Sequence, residues 1–363
     1  MSPSRSQMKG LILSGGKGTR MRPLTHTSAK QLIPVANKPV LHYGIEAIVH
    51  AGIPEIAIIV SPETGGEIRQ SIGDGSQFGA RIEYIEQDAP RGLAHAVMVS
   101  EDFMGKSPFV MYLGDNLLQH GITPLVEEFK AIDCNSEILL TRVPNPSQFG
   151  VAELTPDGRI LKLTEKPPEP KSDLALVGVY MFDSHIFDAV KAIKPSRRNE
   201  LEITDAIQWL IDEGFVVHPH IVKGWWKDTG KIEDMLEANR TVLDTFEMDI
   251  RGNKDSASSI EGKVVVEEGV EIIDSVIRGP AIIGANARIS HAFVGPYTAI
   301  GKGCSVEHCE IENSIVLENS TIAHVDGRIE ASLIGKNVKI GRTLRKPAAY
   351  RFMLGDNSDV GIT

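Results

Sequence analysis

Apolar residues in the last third of the chain recur at a fixed interval, and that interval admits very few folds. Val266, Ile283, Ile300, Leu317 and Ile334 stand 17 residues apart. Ile272, Ile289, Val306, Ala323 and Ile340 keep the same step of 17, as do Val270, Ala287, Cys304, Thr321 and Val338. Within one interval the apolar positions are spaced six, five and six, as at Ile283, Ile289, Val294 and Ile300. A hexapeptide rhythm of this kind specifies a parallel β-helix of triangular cross-section. Each short strand turns one side chain inward, and stacked coils share a continuous core. Gly284, Gly301 and Gly335 directly follow inward residues, which suits a tight turn into the next face.

The first 250 residues have a different pattern. Short apolar runs at 10–13, 55–60, 81–85, 109–113 and 137–142 read as strands. Segments 40–51, 66–72, 93–103 and 122–132 between them carry helical spacing. This alternation implies an α/β fold, a mixed and mostly parallel sheet flanked by helices in the Rossmann-like manner. Ligands of such sheets bind beyond the carboxyl ends of the strands. A second lobe begins near Phe149, with a hairpin at 151–154 and 160–164 around Pro156-Asp157-Gly158 and a further strand at 175–182. Helices follow at 185–192, 204–213 and 231–246. The expected division is a catalytic domain over 1–250, a polar linker over 251–259, and a β-helix with a C-terminal tail over 260–363.

A chain of 363 residues with 42% hydrophobic and 24% charged residues is ordinary for a globular protein of two domains. Its net charge of −10 argues against nucleic acid and anionic membrane as partners, since both are polyanions. Three cysteines make no disulfide framework, which points to reduced thiols and a cytoplasmic location. No signal peptide or membrane span is evident.

The chemistry is concentrated in Leu13-Ser14-Gly15-Gly16-Lys17-Gly18-Thr19-Arg20, directly after the first strand. Glycines let backbone approach a ligand closely, and successive amides form a partly positive nest that suits phosphate. Arg20 adds a permanent cation, and Lys30 and Gln31 follow ten residues on. A Walker loop is excluded, because no glycine of this loop precedes Lys-Ser or Lys-Thr. A dinucleotide loop is excluded too, because Gly16-Lys17-Gly18 is followed by Thr19, Arg20 and Met21 without a third glycine. A nest with two cations suggests a triphosphate ligand.

Gly15-Gly16-x-Gly18-Thr19-Arg20-Met21-x-Pro23-Leu24-Thr25, with Lys30-Gln31-Leu32-Ile33-Pro34-Val35 and Asn37-Lys38-Pro39, resembles the sugar nucleotidyltransferase family in its long form. The resemblance runs from Met8 to the C-terminus. It implies that the β-helix is left-handed, a property periodicity does not set. It also implies transfer of a nucleoside monophosphate from dTTP to glucose-1-phosphate, giving dTDP-glucose and pyrophosphate. UTP is the alternative donor, and glucose-1-phosphate or an amino-sugar phosphate the acceptor. Arg20, Lys30 and Lys166 are then the catalytic cations. The nucleotide falls to Leu13, Gly15, Gly16, Gly18, Thr19, Arg20, Gln31, Gln87, Gly92 and Asp115. Gln87 offers a donor and an acceptor to an imide edge, and Gly92 lets backbone near the ring. The sugar phosphate falls to Asn116, Gly150, Glu165, Lys166, Leu176 and Val177. Mg²⁺ is the implied cofactor, held by Asp115 and Asp228.

His95 stands where many short-form members carry glutamine, and it is given no catalytic role. Glu202, Thr204 and Asp205 also match the family. Helix capping by Thr204 or Asp205 accounts for much of that signal, so they stay outside the site. A remote alternative is acyl transfer on the β-helix. His291 and His308 lie 17 residues apart, with His324 one residue short of the next step, and they read as solvated corner side chains. The β-helix is expected to serve stability and contacts within a homo-oligomer.

Overall fold

The computed structural model describes residues 7–16, 18–26, 28–342 and 352–361. Lys17, inside the glycine loop, lies outside the described residues. Two compact units are present: residues 1–17 with 40–228, and residues 18–39 with 229–363.

The first unit is a mixed sheet with helices. In chain order its elements begin β1 (Lys9–Leu13), α1 (Val40–His50), β2 (Glu55–Val60), α2 (Gly65–Ile72), β3 (Arg81–Glu86), α3 (Leu93–Val99) and α4 (Glu101–Met104). They continue with β4 (Phe109–Leu113), β5 (Asn116–Leu118), α5 (Thr123–Ala131), β6 (Ser136–Arg142), β7 (Gly150–Leu154), β8 (Ile160–Glu165) and β9 (Leu174–Phe182). Last come α6 (Ile186–Ala192), α7 (Ile203–Asp212), β10 (Val217–Ile221) and β11 (Trp226–Asp228). Nine strands form one sheet in the order β8-β7-β9-β4-β1-β2-β3, with β6 pairing β9 and β10. β1 runs parallel to both β2 and β4, whereas β9 is antiparallel to β4 and β6. β1 and β2 carry unbroken buried runs, as strands covered on both faces require. Chain order reverses at β1, so the crevice for a ligand opens at its carboxyl end.

The segment expected as one helix over 93–103 is two. The Ser100 hydroxyl donates to the Val97 carbonyl at 2.7 Å and interrupts the run. β10 was not legible at all. Its sequence Val-His-Pro-His-Ile contains a proline, which a strand tolerates at a sheet edge, and β10 pairs only β6.

The second unit holds residues 18–39, the helix α8 (Ile232–Leu243) and three parallel sheets of six, six and five short strands. Such stacking is what a left-handed β-helix consists of. Two expectations are corrected. Residues 251–259 are no free linker: Asn253 and Lys254 pair with Glu271 and Ile272, and Ser259 pairs with Val276, so they belong to the first coil. The step is also not uniform. Ile300 pairs with Val316, and Val316 with Ile334, steps of 16 and 18. Val316 and Ile322 therefore fill the core rungs assigned to Leu317 and Ala323, and the rung assigned to Thr321 falls to Ser320. Because the short coil precedes it, His324 stacks on His308 at 4.8 Å, as His308 does on His291 at 4.5 Å. Among the described residues no helix is long and apolar enough to cross a membrane.

Candidate active site

In the first unit the chain leaves β1 at Leu13 and reaches a shallow cleft lined by Gly15, Ser61, Pro62, Glu63, Gln87 and Asp88, with Ala89 and Pro90. A Cβ on Gly15 would lie 3.4 Å from Gln87 Oε1, so glycine leaves that side-chain oxygen open to the cleft. Gln87 Nε2 donates to the Gly92 carbonyl at 3.1 Å and lies 3.0 Å from His95 Nδ1. A carbonyl can only accept, which fixes the amide's orientation and makes His95 Nδ1 an acceptor. Burial, with help from Arg91, pushes the His95 pKa down and favours that neutral form. The amide nitrogen is thus committed inward, and the oxygen is presented outward. His95, set aside on sequence grounds, is the residue that orients Gln87. At Gly92, where φ is 101°, a Cβ would lie 2.8 Å from Leu201 N, so close packing on Leu201 by itself requires glycine there.

β4 ends in Gly114, whose amide donates to the Leu13 carbonyl at 2.9 Å and ties the two strand ends together. Asp115 and Asn116 follow. Asn116 is buried. Its Oδ1 accepts from Trp226 Nε1 at 2.6 Å and from the Gly178 amide at 3.2 Å, while its Nδ2 donates to Asp115 Oδ1 at 2.9 Å. β5 and β11 pair antiparallel with Asp228 opposite Asn116, so Asp228 lies across from the neighbour of Asp115. Two aspartates more than a hundred residues apart in sequence are thus brought close along the backbone, and carboxylates are ligands that suit Mg²⁺.

The expected sugar-phosphate residues also converge. Gly150 and Glu165 face each other across β7 and β8. A Cβ on Gly150 would lie 2.6 Å from Thr204 Cγ2 and 3.2 Å from Glu165 Oε2. Glu165 Oε2 accepts from Thr204 Oγ1 and its Oε1 from Arg198 Nη1, each at 3.2 Å, and Lys166 Nζ lies 3.7 Å from the same Oε1. Burial still raises its pKa against these partners. Lys166 adopts φ 41°, a left-handed conformation that a non-glycine residue holds only when its surroundings impose it. Leu176 and Val177 lie in β9 beside an irregularity in the β6–β9 register, next to Gly178 on Asn116. The capping explanation for Thr204 is corrected: α7 starts at Ile203 without a side-chain cap, and the Thr204 hydroxyl serves Glu165. Arg198 went unnoticed because an arginine in a polar loop carries no spacing signal.

Of the remaining candidates, Gly16 lies in the first unit, and Gly18, Thr19, Arg20, Lys30 and Gln31 lie in the second. Gly18 has φ 61° and opens the turn Thr19–Met21, where Arg20 is exposed. A Cβ on Gly18 would meet Lys30 Cβ at 3.0 Å, so glycine permits the two to pack closely. Gln31 is buried, and its Oε1 accepts no hydrogen bond among the described residues. The hairpin 34–39 turns at Ala36 and Asn37, both at positive φ. Asn239 of α8 accepts from the Ala36 amide and donates to the Tyr297 carbonyl, both at 2.9 Å, and Asn37 Nδ2 donates to the Ile300 carbonyl at 2.8 Å. The β-helix therefore anchors the segment bearing Arg20 and Lys30.

Residues 9–245 match the model of the nucleotidyl transferase family, and residues 277–360 match the GMPPB C-terminal domain. A glucose-1-phosphate thymidylyltransferase from Streptomyces griseus is 52% identical over 98% of this chain and 100% of its own length. Its counterpart from Streptomyces antibioticus is 54% identical over 98% of this chain and 99% of its own. A crystal structure from Bacillus anthracis, assigned as a glucose-1-phosphate thymidylyltransferase and complexed with a sucrose, is 37% identical with a TM-score of 0.62. It matches over 67% of this chain and 97% of its own.

Proposed function

The chain belongs to the nucleotidyl transferase family, and from that membership we propose that it joins dTTP to glucose-1-phosphate, giving dTDP-glucose and pyrophosphate. The observation that carries this reading is identity of 52–54% along the whole chain with two thymidylyltransferases.

A phosphate oxygen of glucose-1-phosphate attacks the α-phosphorus of dTTP. The new O–P bond forms as the bond to the β-phosphate oxygen breaks, and pyrophosphate leaves with the electron pair. The protein's task is alignment and charge neutralisation. Leu13 and the amides of Gly15, Gly16, Gly18 and Thr19 cradle the triphosphate, and Arg20 and Lys30 neutralise the leaving group. Gln87 accepts the imide N–H of thymine through Oε1, and Gln31 and Gly92 complete the nucleotide site. Lys166 holds the attacking phosphate. Glu165 accepts from sugar hydroxyls, with Asn116, Gly150, Leu176 and Val177 shaping the pocket. Mg²⁺ bound by Asp115 and Asp228 would withdraw charge from the phosphate oxygens. The chain is proposed to act as a homo-oligomer.

The test is kcat/KM for dTTP and for UTP with glucose-1-phosphate as acceptor. A thymine methyl discriminates by about 1–3 kcal/mol in a pocket, so dTTP is expected to lead. A tenfold or greater preference for UTP overturns the thymidylyl reading.

A further inference from the structure

On the sheet edge opposite the candidate active site, Glu128 of α5, Glu137 of β6 and His220 of β10 point at one another. Their ligating atoms all lie within 4.8 Å. Glu137 pairs with Met181, Met181 with Val110, and Val110 with Gly10, which places it level with the start of β1. Gly15, Gln87 and Asp115 follow the other ends of their strands. The cluster is therefore no part of the nucleotide or sugar-phosphate site.

Glu137 is wholly buried (0% exposed), and among the described residues neither of its carboxyl oxygens has a hydrogen-bond partner. A buried carboxyl without a partner is costly in either protonation state, and native structures rarely keep one. Its neighbours are not idle. His220 Nδ1 lies 2.8 Å from one Glu128 oxygen, and His218 Nε2 lies 3.2 Å from the other. Burial and the nearby Glu128 push the Glu137 pKa up to about 8. An ion able to replace that proton would relieve the site.

We propose that Glu128, Glu137 and His220 bind a divalent transition-metal ion, Zn²⁺ in the first instance. An imidazole nitrogen in the set disfavours Mg²⁺ and Ca²⁺, which take oxygen. The absence of thiolate from the set leaves Zn²⁺ with nitrogen and carboxylate ligands at about 2.0–2.2 Å. Ligand atoms around a tetrahedral ion at that range are about 3.4 Å apart, so closing the site takes modest side-chain movement. His218, beside the cluster, is placed to hold Glu128 in position, as partners of metal ligands commonly do. The ion would fasten the edge strand β10 and the helix α5 to β6, a structural role that does not depend on the proposed reaction.

The test is calorimetric titration of the chelator-stripped, full-length protein with zinc chloride, without nucleotide, alongside thermal melts. The wild type is expected to bind one equivalent at this site and to melt higher with zinc. Glu137→Gln keeps the side-chain shape and removes the buried acid, so it is expected to fold. It should weaken zinc affinity at least tenfold and abolish the melting shift, and His220→Asn should do the same. His308→Ala, which breaks the exposed histidine stack on the β-helix, should leave both unchanged. Zinc binding that survives Glu137→Gln, or that disappears only in His308→Ala, overturns the assignment, as does no binding by the wild type.

Discussion

Gln87 and His95 show how one side chain's chemistry depends on another's protonation state. Neutral His95 accepts from Gln87 Nε2, whereas a protonated ring would present a second donor to that nitrogen and turn the amide. Because burial lowers the His95 pKa, the folded state binds that proton less readily than the unfolded chain. The ordered arrangement is complete above the ordinary histidine range of about 6.5 and is lost as pH falls through the lowered value. KM for dTTP is therefore expected to rise on acidification more than kcat falls. His95→Gln should flatten that dependence, since its side-chain oxygen accepts at any pH, and a pH profile of both parameters checks it. On the sugar side, Lys166→Ala should lower kcat/KM by about 10²–10³ with little change in melting temperature, because the lysine head is part-exposed. Asp228→Asn should raise the Mg²⁺ concentration needed for half-maximal rate, and chelation should abolish turnover in the wild type.

Among the elements, the hairpin 34–39 and α8 matter most. Asn239 is fully buried and bridges the hairpin to the coil at Tyr297. Asn239→Ala leaves the buried Ala36 amide without its partner, at about 1–3 kcal/mol, and also frees the part-buried Tyr297 carbonyl. Melting temperature should fall, and kcat should fall with it because Arg20 and Lys30 lie on the segment so anchored. Normal kcat in a folded Asn239→Ala protein would remove the link between anchor and chemistry. Element by element, the long apolar runs such as Glu55–Val60 and Leu174–Phe182 were readable, because strands buried on both faces must be apolar throughout. β10 and β11 were not, since an edge strand and a three-residue strand leave no periodic trace.

At the scale of the whole molecule, the β-helix is a stack in which each coil is held only by its neighbours. Val306 is fully buried in the middle of it. Val306→Asp places an unpaired charge in that core and should lower the melting temperature sharply, by several kcal/mol of stability. Because the coil carrying Tyr297 and Ile300 bears the hairpin anchors, activity should fall in step, even though the substitution touches no proposed substrate contact. Melting curves and kcat/KM measured on one preparation would show whether the two losses are coupled. Light scattering of the intact protein tests the homo-oligomer: a single monomeric mass across the working concentration range would end that proposal.

By itself the sequence determined the two architectures, because burial along a strand or coil is written in local spacing. Even there, the corner at Asn313–Ser314 is one residue shorter than the corresponding Gly295–Tyr297 corner, and this displaced the later rungs from Leu317 to Val316. Only the tertiary structure decided which distant side chains meet: Asp228 opposite Asn116, Thr204 and Arg198 on Glu165, Glu137 with His220, and the signature hairpin on the β-helix. Those meetings follow from strand order and register, which depend on how the whole chain crosses and packs. Spacing within any one segment carries no trace of them.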